Sequence, residues 1–127
     1  MADVVLDASA LLALLNAETG AESVAAALPD AAVSAVNLSE VAAKLAEAGM
    51  PEKAIRDALH TLPLVITPFD REQAYEAGLL RPSTRGMGLS LGDRGCLSLA
   101  KRLGVPALTA DKSWARLAVG VKVRVIR

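Results

Sequence analysis

The chain has 127 residues, enough for a single domain (residues 1–127) with one sizeable core and too few for two. Apolar residues at 53% exclude disorder, the lone Cys96 excludes a disulfide framework or cysteine-based zinc site, and no apolar run nears the ~18 residues of a membrane span. Net charge is zero, yet residues 1–80 hold 12 acids against 4 bases and residues 81–127 hold 2 against 10. That asymmetry allows a basic stripe that attracts phosphates, unless folding intermixes the two halves and neutralises the field.

The first residues, Met1-Ala2-Asp3-Val4-Val5-Leu6-Asp7, carry two acids and no basic segment, so they do not read as a signal peptide. A soluble protein of a reducing compartment, the cytoplasm, is expected, with no membrane association. Val4-Val5-Leu6 is a short strand, and Ala8 to Asn16 a helix that is apolar nearly all round. A second helix runs from Ala21 to Leu28, and Ala32 to Val36 is a strand. Leu38, Val41, Ala42, Leu45 and Ala46 recur at helical spacing, with Gly49 as the stop. Pro51 opens a helix whose buried stripe is Ile55, Ala58, Leu59 and Leu62.

Leu64 to Thr67 is a third strand, and Asp70 to Leu80 a helix capped by Asp70. Arg81 to Leu89, with Pro82, Gly86 and Gly88, reads as a loop. Leu91 to Leu103 is a helix ending at Gly104, Pro106 to Thr109 a strand, Lys112 to Ala118 a short helix, and Val121 to Ile126 the last strand. Strands alternating with helices predict a three-layer α/β/α domain with a mainly parallel sheet of about five strands. The early strands are continuous apolar runs, as strands covered on both faces should be; the last alternates valines with Lys122 and Arg124, which suits a charged edge.

Ligands of such sheets bind beyond the carboxyl ends of the strands. Four acids fall there: Asp7 after the first strand, Glu40 shortly after the second, Asp93 at the start of the long helix and Asp111 after the fourth strand. Each has a local explanation. Asn37-x-x-Glu40 and Ser90-x-x-Asp93 have the form of capping boxes, and Asp7 and Asp111 suit helix caps. Capping does not require four acids at one sheet edge, however. Two charges ~4 Å apart repel by about 4 kcal/mol at an effective dielectric near 20, so their gathering calls for a cation. Oxygen-only donors select a hard ion, Mg²⁺ or Mn²⁺, and such a site suits phosphodiester hydrolysis by an activated water.

Four blocks, Val5-Leu6-Asp7-Ala8-Ser9-Ala10, Asn37-Leu38-Ser39-Glu40-Val41, Leu89-Ser90-Leu91-Gly92-Asp93-Arg94-Gly95-Cys96-Leu97 and Leu108-Thr109-Ala110-Asp111-Lys112-Ser113-Trp114, together resemble a PIN domain. More closely they resemble the VapC ribonuclease toxins of bacterial toxin–antitoxin pairs. The resemblance spans nearly the whole chain and keeps the family's block order. It implies a Mg²⁺- or Mn²⁺-dependent endoribonuclease that cleaves RNA, is neutralised by a VapB-like antitoxin and forms a homodimer. Carried over by position, Asp7 and Asp93 are principal metal ligands, Glu40 completes the site directly or through water, and Asp111 holds a second metal or a coordinated water. Ser9 and Thr109 are hydroxyls that orient carboxylates or water.

Arg81, Arg85 and Arg94 are candidate contacts for RNA phosphates, with ordinary solvated arginine as the plainer reading. His60 reads as a surface helix residue, Cys96 as a small buried hydrophobe, and Trp114 either as a packing residue or as a base-stacking one. The apolar first helix and a mean hydropathy of +0.38 favour cover by a second chain. Two other functions compete. One is a catalytically silent PIN-like module that binds RNA or protein. The other is a phosphoacceptor receiver or phosphatase using Asp7, which Ile66-Thr67-Pro68 and Asp7-Ala8-Ser9 weaken because neither carries the further Asp this chemistry needs.

Overall fold

The computed structural model describes residues 2–127; Met1, the first residue of the N-terminal segment read above, lies outside the described residues. The strands are β1 (Val4–Leu6), β2 (Ala31–Ser34), β3 (Val65–Thr67), β4 (Ala107–Thr109) and β5 (Val123–Val125). The helices are α1 (Ala8–Leu15), α2 (Ala21–Ala27), α3 (Ala35–Glu47), α4 (Glu52–His60), α5 (Arg71–Leu79), α6 (Arg81–Thr84) and α7 (Leu91–Leu103). The five strands form one sheet in the order β3-β2-β1-β4-β5, with every pairing parallel. The order reverses between β1 and β4, and the crevice at such a switch point is where open α/β sheets bind ligands. A receiver has the order 2-1-3-4-5, so this strand order does not fit the receiver form of the phosphoacceptor reading.

Alternation along each strand divides the interior into two cores. Val4 and Leu6 of β1, Ala31 and Val33 of β2 and Leu108 of β4 face Leu11, Val24, Val41, Leu45 and Ile55 from α1 to α4. Val5, Ala32 and Ala107 point the other way, toward Cys96, Leu97, Leu99 and Ala100 of α7 and toward Trp114. Alanines on both sides of Val5 let α7 lie close against the middle of the sheet. Truncating Leu11 to alanine in such a setting removes about 2–5 kcal/mol.

Several sequence expectations change in detail. The second strand stops at Ser34, two residues before Val36, because the Ser34 side chain accepts from the Val36 N–H and caps α3. Asn37 is therefore inside the first turn of α3, and Asn37-x-x-Glu40 is not a capping box. Residues 81–89 are not an open loop: α6, with Pro82 in its first turn, runs into a 3-10 turn at Arg85–Met87. The third strand is an edge strand, not one covered on both faces; Val65 is 60% exposed. The other edge is β5, where Arg124 is exposed between half-buried Val123 and Val125, as the alternation predicted. Among the described residues no helix is long and apolar enough to cross a membrane.

Candidate active site

Asp7 leaves β1 and caps α1, its Oδ1 accepting from the Ala10 N–H at 2.8 Å. Two hydroxyls complete its surroundings. Thr109 Oγ1, at the end of the neighbouring β4, donates to Oδ2 at 2.5 Å, and Ser9 Oγ lies 2.8 Å from Oδ1. Each hydroxyl also accepts a backbone N–H, Ser9 from Ala110 and Thr109 from Asp111. Their single protons are thus left to point at Asp7. These three donors favour the charged carboxylate, but Asp7 is only 3% exposed, and burial outweighs them. Its pKa is pushed up to about 6, with a small further rise from the charge of Asp93.

Glu40 reaches the same region from α3. Its carboxylate lies on the backbone of Gly92, where a Cβ added to that glycine would collide with Glu40 Oε1. Asn37 Nδ2 donates both to Glu40 Oε1 and to the Gly92 carbonyl, each at 3.0 Å. One turn along α7, a Cβ on Gly95 would fall 2.5 Å from Val36 Cγ1. Two glycines three residues apart therefore let α3 and α7 cross closely and bring Glu40 beside Asp93. Burial raises the Glu40 pKa, Asn37 opposes the rise and the nearby Asp93 charge adds to it.

Asp93 sits at the third position of α7 in a reciprocal capping box: Asp93 N–H donates to Ser90 Oγ and Ser90 N–H to Asp93 Oδ2. Cys96 lies beneath the same acids. It is fully buried one turn below Asp93, and its thiol pKa is pushed well up, by burial first and then by the charges of Asp7, Asp93 and Glu40. Asp111 stands apart from these three. It caps the 3-10 turn at Lys112–Arg116, accepts at Oδ1 from the Ser113 N–H and hydroxyl, and is linked to Asp7 through its backbone N–H on Thr109 Oγ1.

The donor set is all oxygen, which fits a hard divalent ion. A buried carboxylate that resists ionisation, and a side-chain oxygen, Asn37 Oδ1, that is buried without a partner, also fit a site that takes up charge and hydrogen-bond donors. Among the described residues no three His, Cys, Asp or Glu side chains converge tightly enough to enclose an ion. Asp7 and Asp93 instead keep their cap bonds and Glu40 its bond from Asn37, as mutual repulsion favours.

The remaining candidates separate. Arg81 and Arg85 are exposed on α6 and the following turn. Arg94 turns away from the acids: its Nη1 donates to the Ala77 carbonyl near the end of α5, and its Nε is buried without a partner. Trp114 is 1% exposed within the second core, so it packs and does not stack bases. His60 is exposed on α4. Asn37 and Gly92 were missed as site residues; the available signal was a glycine, a poor helix former, inside the first turn of a well-capped helix.

The PIN domain family model matches residues 4–120. The chain belongs to the PIN domain family. No match is found among curated proteins. Solved structures share the fold along nearly the whole chain. A toxin–antitoxin complex from Klebsiella pneumoniae superposes with a TM-score of 0.76 at 22% identity, covering 98% of each chain. DNA-bound VapBC from Salmonella typhimurium gives 0.78 at 16% identity, covering 100% of each. Mycobacterium tuberculosis VapC20, a sarcin–ricin loop cleaving toxin, gives 0.75 at 18% identity, covering 94% of this chain and 98% of that one.

Proposed function

We propose that this PIN domain is a Mg²⁺- or Mn²⁺-dependent endoribonuclease and the toxin of a VapBC-type pair, acting in the cytoplasm. The reading is supported by Asp7 and Glu40 lying near enough to Asp93 at the switch point of the sheet to feel its charge, with Asp7 buried and held by three donors. A catalytically silent module has no need of so unfavourable a carboxylate. Asp7, Asp93 and Glu40 would hold the cation, with Asp111 at the margin of the site to hold a second ion or a water. Ser9 and Thr109 fix the orientation of Asp7 by hydrogen bonds. A bound divalent ion would polarise the phosphoryl oxygen and lower the pKa of an attacking water. Exposed Arg81 and Arg85 are placed to meet the RNA backbone, whereas Arg94 supports α5.

Partner chemistry is supported by a groove of about 710 Å³ between α3 and α4, lined by Leu38, Ala42, Met50, Ile55, Leu59 and Ile66. An amphipathic helix of a VapB-like antitoxin suits such a trough. Exposed Tyr75, Leu79 and Leu103 add apolar surface that supports a homodimer. The test is cleavage of total RNA by the purified chain, with products end-mapped. Cleavage should need Mg²⁺ or Mn²⁺ and fall at least about 100-fold in Asp93→Asn, the upper scale on which even outer partners alter metal sites. Full activity in EDTA, or an unaffected Asp93→Asn enzyme, would overturn the assignment.

A further inference from the structure

We infer that Asn37 is a positioning residue, whose side-chain amide holds the Glu40 carboxylate against the Gly92 backbone and beside Asp93 so that Glu40 is presented to a divalent cation. The inference rests on the metal-dependent reading above. Asn37 is completely buried although it carries a polar side chain. Its two amide protons go to two oxygens, Glu40 Oε1 and the Gly92 carbonyl, and this fixes the amide orientation, since a flipped amide would set oxygen against oxygen. Asn37 Oδ1 is left buried with no partner. Orphaned buried acceptors are uncommon and cost stability, so a residue kept only to tie two helices together is better replaced by an apolar one.

Gly92 supplies the complementary half. The Glu40 carboxylate occupies the volume of the missing Cβ, so the amide gives direction and the glycine gives room. Both contacts converge on the segment that carries Asp93. Nothing else in the structure donates a hydrogen bond to Glu40 among the described residues, and without the amide its three side-chain torsions are free to carry the carboxylate away.

The test is a double-mutant cycle read by Mn²⁺ titration calorimetry, with no RNA present. Asn37→Leu should weaken Mn²⁺ binding about 10–100-fold, the usual scale for partners that orient metal ligands. In a Glu40→Gln background the same change should have no further effect, because Asn37 acts through Glu40. Asn37→Ser, which keeps one donor on a shorter arm, should show an intermediate loss and serves in place of Asn37→Leu if that chain does not fold. Unchanged affinity in both Asn37 variants, or an equal loss in the two backgrounds, would overturn the positioning role while leaving the nuclease reading intact. Failure of the wild type to bind Mn²⁺ would overturn both.

Discussion

Asp7 and Glu40 are held by opposite means. Asp7 is fixed from within one sheet: a strand end, the helix start that follows and a hydroxyl from the adjoining strand close around it. Glu40 is fixed by a crossing of two helices, where a glycine leaves space and one amide sets direction. The first arrangement costs stability through a buried charge, while the second leaves one buried acceptor, Asn37 Oδ1, unpaired and depends on nothing larger than hydrogen standing at residue 92. Substitutions should therefore separate folding from activity in opposite ways on the two sides.

The largest effect is expected at Asp7. Its folded-state pKa of about 6 lies above the ordinary 3.8, so the folded chain holds this proton more tightly than the unfolded chain does. The group costs nothing below about pH 4. Stability falls as pH rises between the two values, by about 3 kcal/mol once Asp7 is fully ionised. Urea unfolding across pH 4 to 7.5 without divalent ions should show this decline, and Asp7→Asn should flatten it. A wild-type stability that rises through this range would contradict the assignment of the cost to Asp7.

Gly92→Ala should do the reverse. The atom in the way is the far end of a flexible glutamate, so the fold tolerates the change, and alanine improves helix propensity by up to about 1 kcal/mol. RNA cleavage should nevertheless drop about 10–100-fold as Glu40 is displaced. Gly95→Ala is the control. It meets the branched Val36 side chain instead and should lower stability by about 1–3 kcal/mol, read in the same urea titration. If both substitutions destabilise equally, the glycines are simple packing residues. The smallest effect belongs to Ser113→Ala, which removes a 2.7 Å bond to Asp111 at the exposed margin of the site. Stability should stay within about 0.5 kcal/mol, and a large loss of cleavage would mean that Asp111 belongs with the inner three acids.

What could be read from the residues in order was whatever is decided over a few positions. The strand–helix alternation, the cap at Asp70, the box at Ser90 and Asp93 and the stop at Gly104 all rest on local backbone chemistry, and all are present. The capping explanations of Asp7, Asp93 and Asp111 hold true as well, since a side chain that caps a helix beyond a strand is already at the ligand-binding edge. Residues decided by distant partners were not legible. Asn37 gains its role from a carbonyl 55 positions away. An apolar run such as Leu64 to Thr67 has the same composition at an edge as in the middle of a sheet, and Arg94 beside Asp93 gives no sign that it turns to Ala77. In each case the tertiary neighbour chose among conformations that the local sequence left equal.

The bond from Thr109 to Asp7 spans 102 positions, and β4 must lie against β1 before it can form. A growing or truncated polypeptide that stops short of residue 109 has made three of the four acids but lacks the second hydroxyl at Asp7 and the strand that carries it. Closing so long a loop costs entropy before the contact repays it. The surroundings of Asp7 are therefore completed only once the chain extends through β4 and that strand has docked on β1.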